Sequence, residues 1–262
     1  MSSATDSKGV IIIIPAYNEE GNIVPLIKNI RSKISDADIL IIDDGSTDRT
    51  ARMAEKAGAL VARLPFNMGY GAALQTGFKY ALMNRYRYVV QMDADGQHDP
   101  DSIRALLDEV KKEDADVVIG SRFRDGRELY KTHWTRRLGM ILFGKIASMI
   151  TGLQVTDPTS GFQALNRDAL RFYASKYYPV DYPDADVIIM LHKAGMRVKE
   201  VSVIMHSRKE GQSMHSGFKP IYYIFKMFLS MLVTLLRKDK FMKRVAKKEE
   251  ITHAVTPKNI CN

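Results

Sequence analysis

The sequence predicts an α/β protein with a mostly parallel sheet flanked by helices and an amphipathic helix near its C-terminal end. Three observations predict this. Short aliphatic, β-branched runs alternate with stretches of helical spacing through about residue 120, a pattern that calls for parallel strands joined by right-handed crossovers. The connections between them are short. The polar clusters at 16–20, 43–46 and 93–98 each fall just after an apolar run, and in such sheets ligands bind at the carboxyl ends of the strands.

Taken in order, 10–14 is a β-branched run that ends at Pro15 and reads as a buried strand. Ile23, Leu26, Ile27 and Ile30 then recur at helical spacing. A second buried strand at 39–42 stops at Asp43-Asp44-Gly45-Ser46, and Thr47 or Asp48 is placed to cap the helix that follows, closed by Gly58. A strand is expected at 60–63, a helix at 70–84 and a strand at 88–92, stopped by Asp93-Ala94-Asp95-Gly96. Pro100 opens a helix to about Glu113, and 117–119 is a further strand. Beyond it the pattern loosens. Helices are expected at 134–150 and 184–194, an extended piece at 159–165, and a strand at 198–205 leading into a polar loop.

The last element, 218–236, is apolar from Ile221 onward except for Lys226, Ser230 and Thr234. That run falls short of the roughly 20 residues a membrane span needs. Lys219, Arg237, Lys238 and Lys240 flank it, which suits a helix lying in an anionic membrane interface. The alternative is a helix packed on the body or against a second copy. The predicted organisation is therefore a catalytic domain at 1–217, an interfacial helix at 218–240 and a basic tail at 241–262.

The net charge of +9 is unevenly placed. Residues 237–262 carry eight Lys/Arg against three Asp/Glu, and the rest of the chain is close to neutral. A near-neutral body argues against a nucleic-acid-binding surface. The one cysteine, Cys261, permits no internal disulfide, which suits a reducing cytoplasmic compartment, and no signal sequence is read at residues 1–14.

The chemistry concentrates in the loops after strands. Asp93-Ala94-Asp95 sits where a turn brings two carboxylates towards one hard cation, and Mg²⁺ and Mn²⁺ commonly bridge such carboxylates to substrate phosphates. Gln97 and His98 are near enough to complete that shell or to position a diphosphate. A capping or turn role is the alternative for an isolated Asp-x-Asp. The loops Pro15-Ala16-Tyr17-Asn18-Glu19, 43–48 and Asn67-Met68-Gly69-Tyr70-Gly71 bring acceptors, an aromatic face and close-approaching backbone to the same rim.

The ordered set of Pro15-Ala16-Tyr17-Asn18-Glu19, Asp43-Asp44-Gly45-Ser46, Met92-Asp93-Ala94-Asp95-Gly96-Gln97-His98, Gly120-Ser121-Arg122-Phe123 and Asp157-Pro158-Thr159-Ser160-Gly161-Phe162 resembles family 2 glycosyltransferases of the GT-A fold. That fold is a Rossmann-like, mostly parallel sheet flanked by helices. Within the family the chain is most similar to dolichyl- or polyprenyl-phosphate sugar transferases, over about 10–217. The resemblance implies a metal-dependent, inverting hexosyltransferase. It would take a UDP- or GDP-linked nucleotide diphospho-sugar and deliver the sugar to a polyprenyl-phosphate lipid at the cytoplasmic membrane face.

By the same resemblance Pro15, Tyr17, Glu19, Asp44, Gly71 and Asp93 would hold the nucleotide-sugar, and Asp93, Asp95 and Gln97 the Mg²⁺ or Mn²⁺. Arg122 would offset charge on the leaving diphosphate, a role that suits a permanently charged, bidentate guanidinium; a surface salt bridge is its alternative. Arg208 lies in the loop 206–213 that resembles the branch's closing loop, with Arg137 and Ser213 towards the acceptor. The branch commonly carries Lys after Gly-x-Ser, where this chain has Met214. Arg136 beside Arg137 leaves the acceptor-phosphate arginine open between them. Asp184 is the candidate base if the acceptor is a sugar hydroxyl of a growing cell-wall or surface glycan, and otherwise an N-cap. A lipid phosphate needs no base. A nucleotidyltransferase is the rival enzyme class, told apart by pyrophosphate release. The C-terminal helix leaves room for lipid, a small integral membrane protein or a second copy as its partner.

Overall fold

The computed structural model describes residues 8–124, 134–179, 185–206 and 219–236. Strands β1 (Lys8–Ala16), β2 (Ala37–Asp43), β3 (Leu60–Arg63) and β4 (Tyr86–Gln91) alternate with helices α1 (Glu20–Lys33), α2 (Thr50–Lys56) and α3 (Tyr70–Met83). After them come α4 (Ser102–Lys111), β5 (Val117–Ser121), α5 (Trp134–Thr151), β6 (Gln163–Leu165), α6 (Arg167–Tyr173), α7 (Ala185–Lys193), β7 (Val198–Ser202) and α8 (Lys219–Leu236). The seven strands form one sheet in the order β3-β2-β1-β4-β6-β5-β7. All pairings are parallel except those of β6, which runs antiparallel to both β4 and β5.

The continuous apolar run of β1 follows from burial on both faces. Ile11 and Ile13 point into a core shared with Leu40, Ile42 and helices α3, α6 and α7. Ile12 and Ile14 point into the opposite core, shared with Ile39, Ile41 and helices α1 and α4. Each of these fully buried Ile side chains contributes roughly 1.5–3 kcal/mol of transfer free energy.

The chain order reverses between β1 and β4, so a crevice opens there at the carboxyl edge. Pro15 lies at that split. Pairing with β4 ends at Ile13↔Gln91, whereas pairing with β2 continues to Ala16↔Asp43.

Several boundaries differ from those read in the sequence. Helix α2 starts at Thr50, not at a cap on Thr47 or Asp48. Asp48 stands outside it and accepts the Thr50 N–H at 2.8 Å. The extended piece at 159–165 is a strand only over Gln163–Leu165, because 157–160 is a turn closed by Ser160 N–H donating to the Asp157 carbonyl. β7 stops at Ser202, and Met205 forms a lone antiparallel bridge with His98. Helix α6 was not anticipated. Its signal is Asn166, whose side chain accepts the N–H groups of Asp168 and Ala169.

Helix α8 packs one side on the body and leaves the other exposed. Met227 and Met231 enter a small cluster with Phe143, Ala185 and Ile189, and Phe228 meets Phe143 edge-on. Lys193 donates to the carbonyls of Thr234 and Leu235 at the helix's end, and Ser230 donates to Asp186. Phe228, Leu229, Leu232, Val233, Leu235 and Leu236 remain exposed. No helix among the described residues is long and apolar enough to cross a membrane.

Candidate active site

The loops at the carboxyl edge are knitted to one another. Asn18 donates its N–H to Ser46 Oγ at 2.9 Å and accepts the Thr47 N–H at 2.9 Å. Asn18 itself sits at φ 54°, a left-handed conformation that Asn tolerates better than most residues. Glu19 N–H reaches Thr50 Oγ1 at 2.8 Å. Tyr17, between these anchors, is 45% exposed. The Glu19 carboxylate accepts Asn22 Nδ2 at 2.7 Å.

Asp44 is buried, and its two oxygens accept the Met68 and Gly69 N–H groups at 2.7 and 2.9 Å. It thereby ties the loop before α3 to the end of β2. Gly45 completes this join: it has φ +71°, and a Cβ there would stand 2.5 Å from the Phe66 carbonyl carbon, so no other residue fits. Gly71 is buried in the first turn of α3.

Beneath the neighbouring loop, Asp93 donates its N–H to His98 Nδ1 at 3.0 Å, and its Oδ1 accepts the Tyr70 hydroxyl at 2.8 Å. His98 is 4% exposed and stacks on Phe162 with ring centroids 4.8 Å apart. Burial holds its pKa below the usual imidazole value against the pull of Asp93 and Asp95, and Nδ1 is the acceptor of the Asp93 N–H. His98 therefore buttresses the turn from underneath. Asp95 Oδ1 accepts the Gln97 N–H at 3.1 Å, while the Gln97 carbonyl accepts the His206 N–H at 2.7 Å.

Arg122 makes a bidentate pair with Asp157, Nε to Oδ2 at 2.6 Å and Nη2 to Oδ1 at 2.7 Å, and Nη2 also reaches Thr159 Oγ1 at 3.0 Å. The two side chains are 9% and 0% exposed. This is a buried clamp, not the surface salt bridge allowed for in the sequence reading. Glu200 supports it from behind by accepting the Thr156 hydroxyl and the N–H groups of Thr156 and Asp157. Burial pushes the Glu200 carboxyl above the usual glutamate range, against those hydrogen bonds.

Pro15, Tyr17, Glu19, Asp44, Gly71, Asp93, Asp95 and Gln97 thus lie on or beneath one rim, with Arg122 in the segment beside it. Arg137 is exposed on α5. Asp184, Arg208, Ser213, the Arg136 side chain and the basic tail lie outside the described residues. Sequence reasoning passed over the partnership of Asp157 with Arg122, the support from Glu200 and the contact of Tyr70 with Asp93. Each depends on a long-range approach that no local pattern encodes.

The donor set suits a hard divalent cation. Asp93 and Asp95 place two carboxylates on the turn after β4, and among the described residues no cluster of three or more His, Cys, Asp or Glu could hold a metal alone. Two carboxylates completed by substrate phosphate oxygens and water is the arrangement Mg²⁺ and Mn²⁺ favour.

The profile of glycosyl transferase family 2 matches residues 11–173. The chain is 32% identical to an undecaprenyl-phosphate mannosyltransferase of Micrococcus luteus, over 79% of this chain and 88% of the relative. It is 30% identical to a polyprenol monophosphomannose synthase of Mycolicibacterium smegmatis, covering 83% and 84% of the two chains. Among solved structures, glucosyl-3-phosphoglycerate synthase from Mycobacterium tuberculosis, in complex with Mn²⁺ and UDP-glucose, superposes with a TM-score of 0.62 at 21% identity. That match covers 87% of this chain and 78% of the other, and it shows a shared fold, the GT-A arrangement.

Proposed function

The chain belongs to glycosyl transferase family 2, and from that premise we propose that it transfers a sugar from a nucleotide diphospho-sugar to a polyprenyl phosphate, with inversion at the anomeric carbon. The observation that carries this reading is the crevice between β1 and β4. Its knitted nucleotide-side loops end against Asp93 and Asp95. Relatives named for sugar transfer to undecaprenyl and polyprenol phosphates, aligned over most of both chains, support it.

In this reading Tyr17 offers its exposed ring to the base, and Pro15, Glu19 and Gly71 line the nucleoside. Asp44 acts by holding the wall formed by Met68 and Gly69. Asp93, Asp95 and Gln97 would hold Mg²⁺ or Mn²⁺ with the diphosphate. The cation supplies charge neutralisation as the nucleotide diphosphate departs, the largest charge to develop in the reaction. Arg122, its charge balanced by Asp157, fixes the 157–162 segment beside the departing diphosphate. A phosphate oxygen of the acceptor attacks from the opposite face of the sugar; it is already an anion and needs orientation more than a base. Arg137, Arg208 and Ser213 are proposed to orient it.

The outer face of α8, followed by the basic tail, would seat the enzyme as a peripheral protein on the inner, cytoplasmic face of the membrane. An apolar helix and a basic segment together supply the two signals that stable membrane attachment needs.

The test is nucleotide release by purified protein with Mg²⁺ or Mn²⁺ and undecaprenyl phosphate in detergent, running UDP-, GDP- and dTDP-sugars in parallel with Asp95→Ala as control. Lipid-dependent release of one nucleotide, lost in the variant by at least about a hundredfold, is the expected result. Slow hydrolysis indifferent to the lipid sinks the phosphate acceptor and turns attention to Asp184 and a hydroxyl.

A further inference from the structure

Tyr70, Asp93 and Gly161 come from three separate segments and meet at one point under the rim. Tyr70 is the first residue of α3, delivered by the loop that Asp44 ties down through Met68 and Gly69. Its phenol oxygen accepts a hydrogen bond from Gln91 Nε2 at 3.3 Å, which leaves the phenol proton for Asp93 Oδ1 at 2.8 Å. Asp93 is therefore held at both ends, its backbone by His98 and its carboxylate by Tyr70. Gly161 closes the third side. A Cβ at that position would stand 2.9 Å from the Tyr70 hydroxyl and 3.4 Å from both Asp93 oxygens.

We propose that Tyr70 is a positioning residue for Asp93, fixing the carboxylate in the orientation that receives the divalent cation and coupling it to the nucleotide-side loop. This rests on reading Asp93 and Asp95 as the cation's carboxylates. An ordinary phenol keeps its proton across the working range, so the group is a donor there. A donor behind a metal-binding carboxylate fixes its orientation, and removing such a partner commonly costs about 10–100-fold in metal affinity or activity. Gly161 has a definite part in the same device: it lets the 157–162 segment, anchored by the Arg122–Asp157 pair, close on Tyr70 and Asp93 without displacing either.

The experiment measures Mn²⁺ affinity of the full chain by the paramagnetic resonance of the free ion, with Mn²⁺ alone and again with UDP or GDP. Tyr70→Phe, Gly161→Ala, Asp93→Asn and the double variant Y70F/D93N are compared with the wild type. Asp93→Asn should lose the cation. Tyr70→Phe, which keeps the ring and its packing, should weaken Mn²⁺ by about 10–100-fold with an unchanged melting temperature. Gly161→Ala should move in the same direction by crowding the phenol, and it serves as the readout if Tyr70→Phe fails to fold. In the double variant the loss of Tyr70 should add nothing to the loss of Asp93. Wild-type affinity in Tyr70→Phe, with Asp93→Asn still losing the ion, overturns the role of Tyr70 and leaves the cation reading standing. Wild-type affinity in Asp93→Asn removes the cation reading itself.

Discussion

Around the crevice, side chains of one loop satisfy the backbone of the next: Ser46 with Asn18, Asn18 with Thr47, Asp44 with Met68 and Gly69. Helix α8 is attached on another principle. Two methionines seat it in a cluster of five buried side chains, aided by Ser230 and Lys193, while six large apolar residues face outward. The rim is fixed by directional contacts that lose much if one partner goes. The helix is held by a small apolar cluster, and several large apolar side chains stay exposed on its other side. The contrast is between a rim set by directional hydrogen bonds and a helix held by packing on one side only.

The sharpest way to break this comparison is at Arg122. Replacing it with Met leaves Asp157 as an uncompensated buried charge, and the expected cost is about 3–5 kcal/mol in urea unfolding. Adding Asp157→Asn to the variant should recover much of that loss. A single-variant cost below about 1 kcal/mol would make the pair no better than a surface ion pair, and the rim would lose its claim to directional fixing.

Met231→Ala tests the other side. A buried Met truncated to Ala typically costs about 2–5 kcal/mol. Here, however, the loss should be local, because α8 rests on one small cluster. Amide hydrogens of α8 should exchange at nearly the unprotected rate while those of β1 and β4 keep wild-type protection. Equal loss of protection in both would show α8 to be part of one cooperative unit with the sheet.

A smaller effect on stability is expected on the outer face. Leu232 is 53% exposed, and Leu232→Gln should leave unfolding within about 0.5 kcal/mol of wild type. Its retention on vesicles containing anionic lipid should nevertheless fall, because it removes apolar area from the face proposed to enter the interface. Unchanged retention would take the membrane away from this helix.

Legibility in the sequence followed the same line. Strands β1, β2 and β4 were legible because strands buried on both faces appear as unbroken apolar runs, with polar loops directly after them. Asp93, Asp95 and the loop residues of the rim were visible for that reason. The second half reads poorly because β6 is three residues long and antiparallel between two other strands, so its pairing is set by partners more than 40 residues away in β5 and β4. Arg122 stood out as a functional arginine, but its partner Asp157 lies 35 residues on, and only the fold brings them together. Glu200, further still, carries no local signal, lying between Lys199 and Val201 on a short strand.

Glu200 offers the finest test, by pH. Its folded carboxyl is raised chiefly by burial and also by the charge of Asp157, which together outweigh the hydrogen bonds from Thr156 and Asp157. A raised pKa means the folded state holds that proton more tightly than the unfolded chain. Its contribution to stability is therefore fully present below the ordinary glutamate value of about 4.3 and lost as pH rises through the folded value. Glu200→Gln has no proton to lose there. The difference in urea midpoint, wild type minus variant, should be most favourable to the wild type at the acid end and decline with rising pH, since every other titrating group is shared. A difference that stays flat across the range would mean that Glu200 titrates alike in both states. The clamp on Arg122 would then be supported by a carboxylate that pays no desolvation at all, which its burial behind Thr156 and Asp157 argues against.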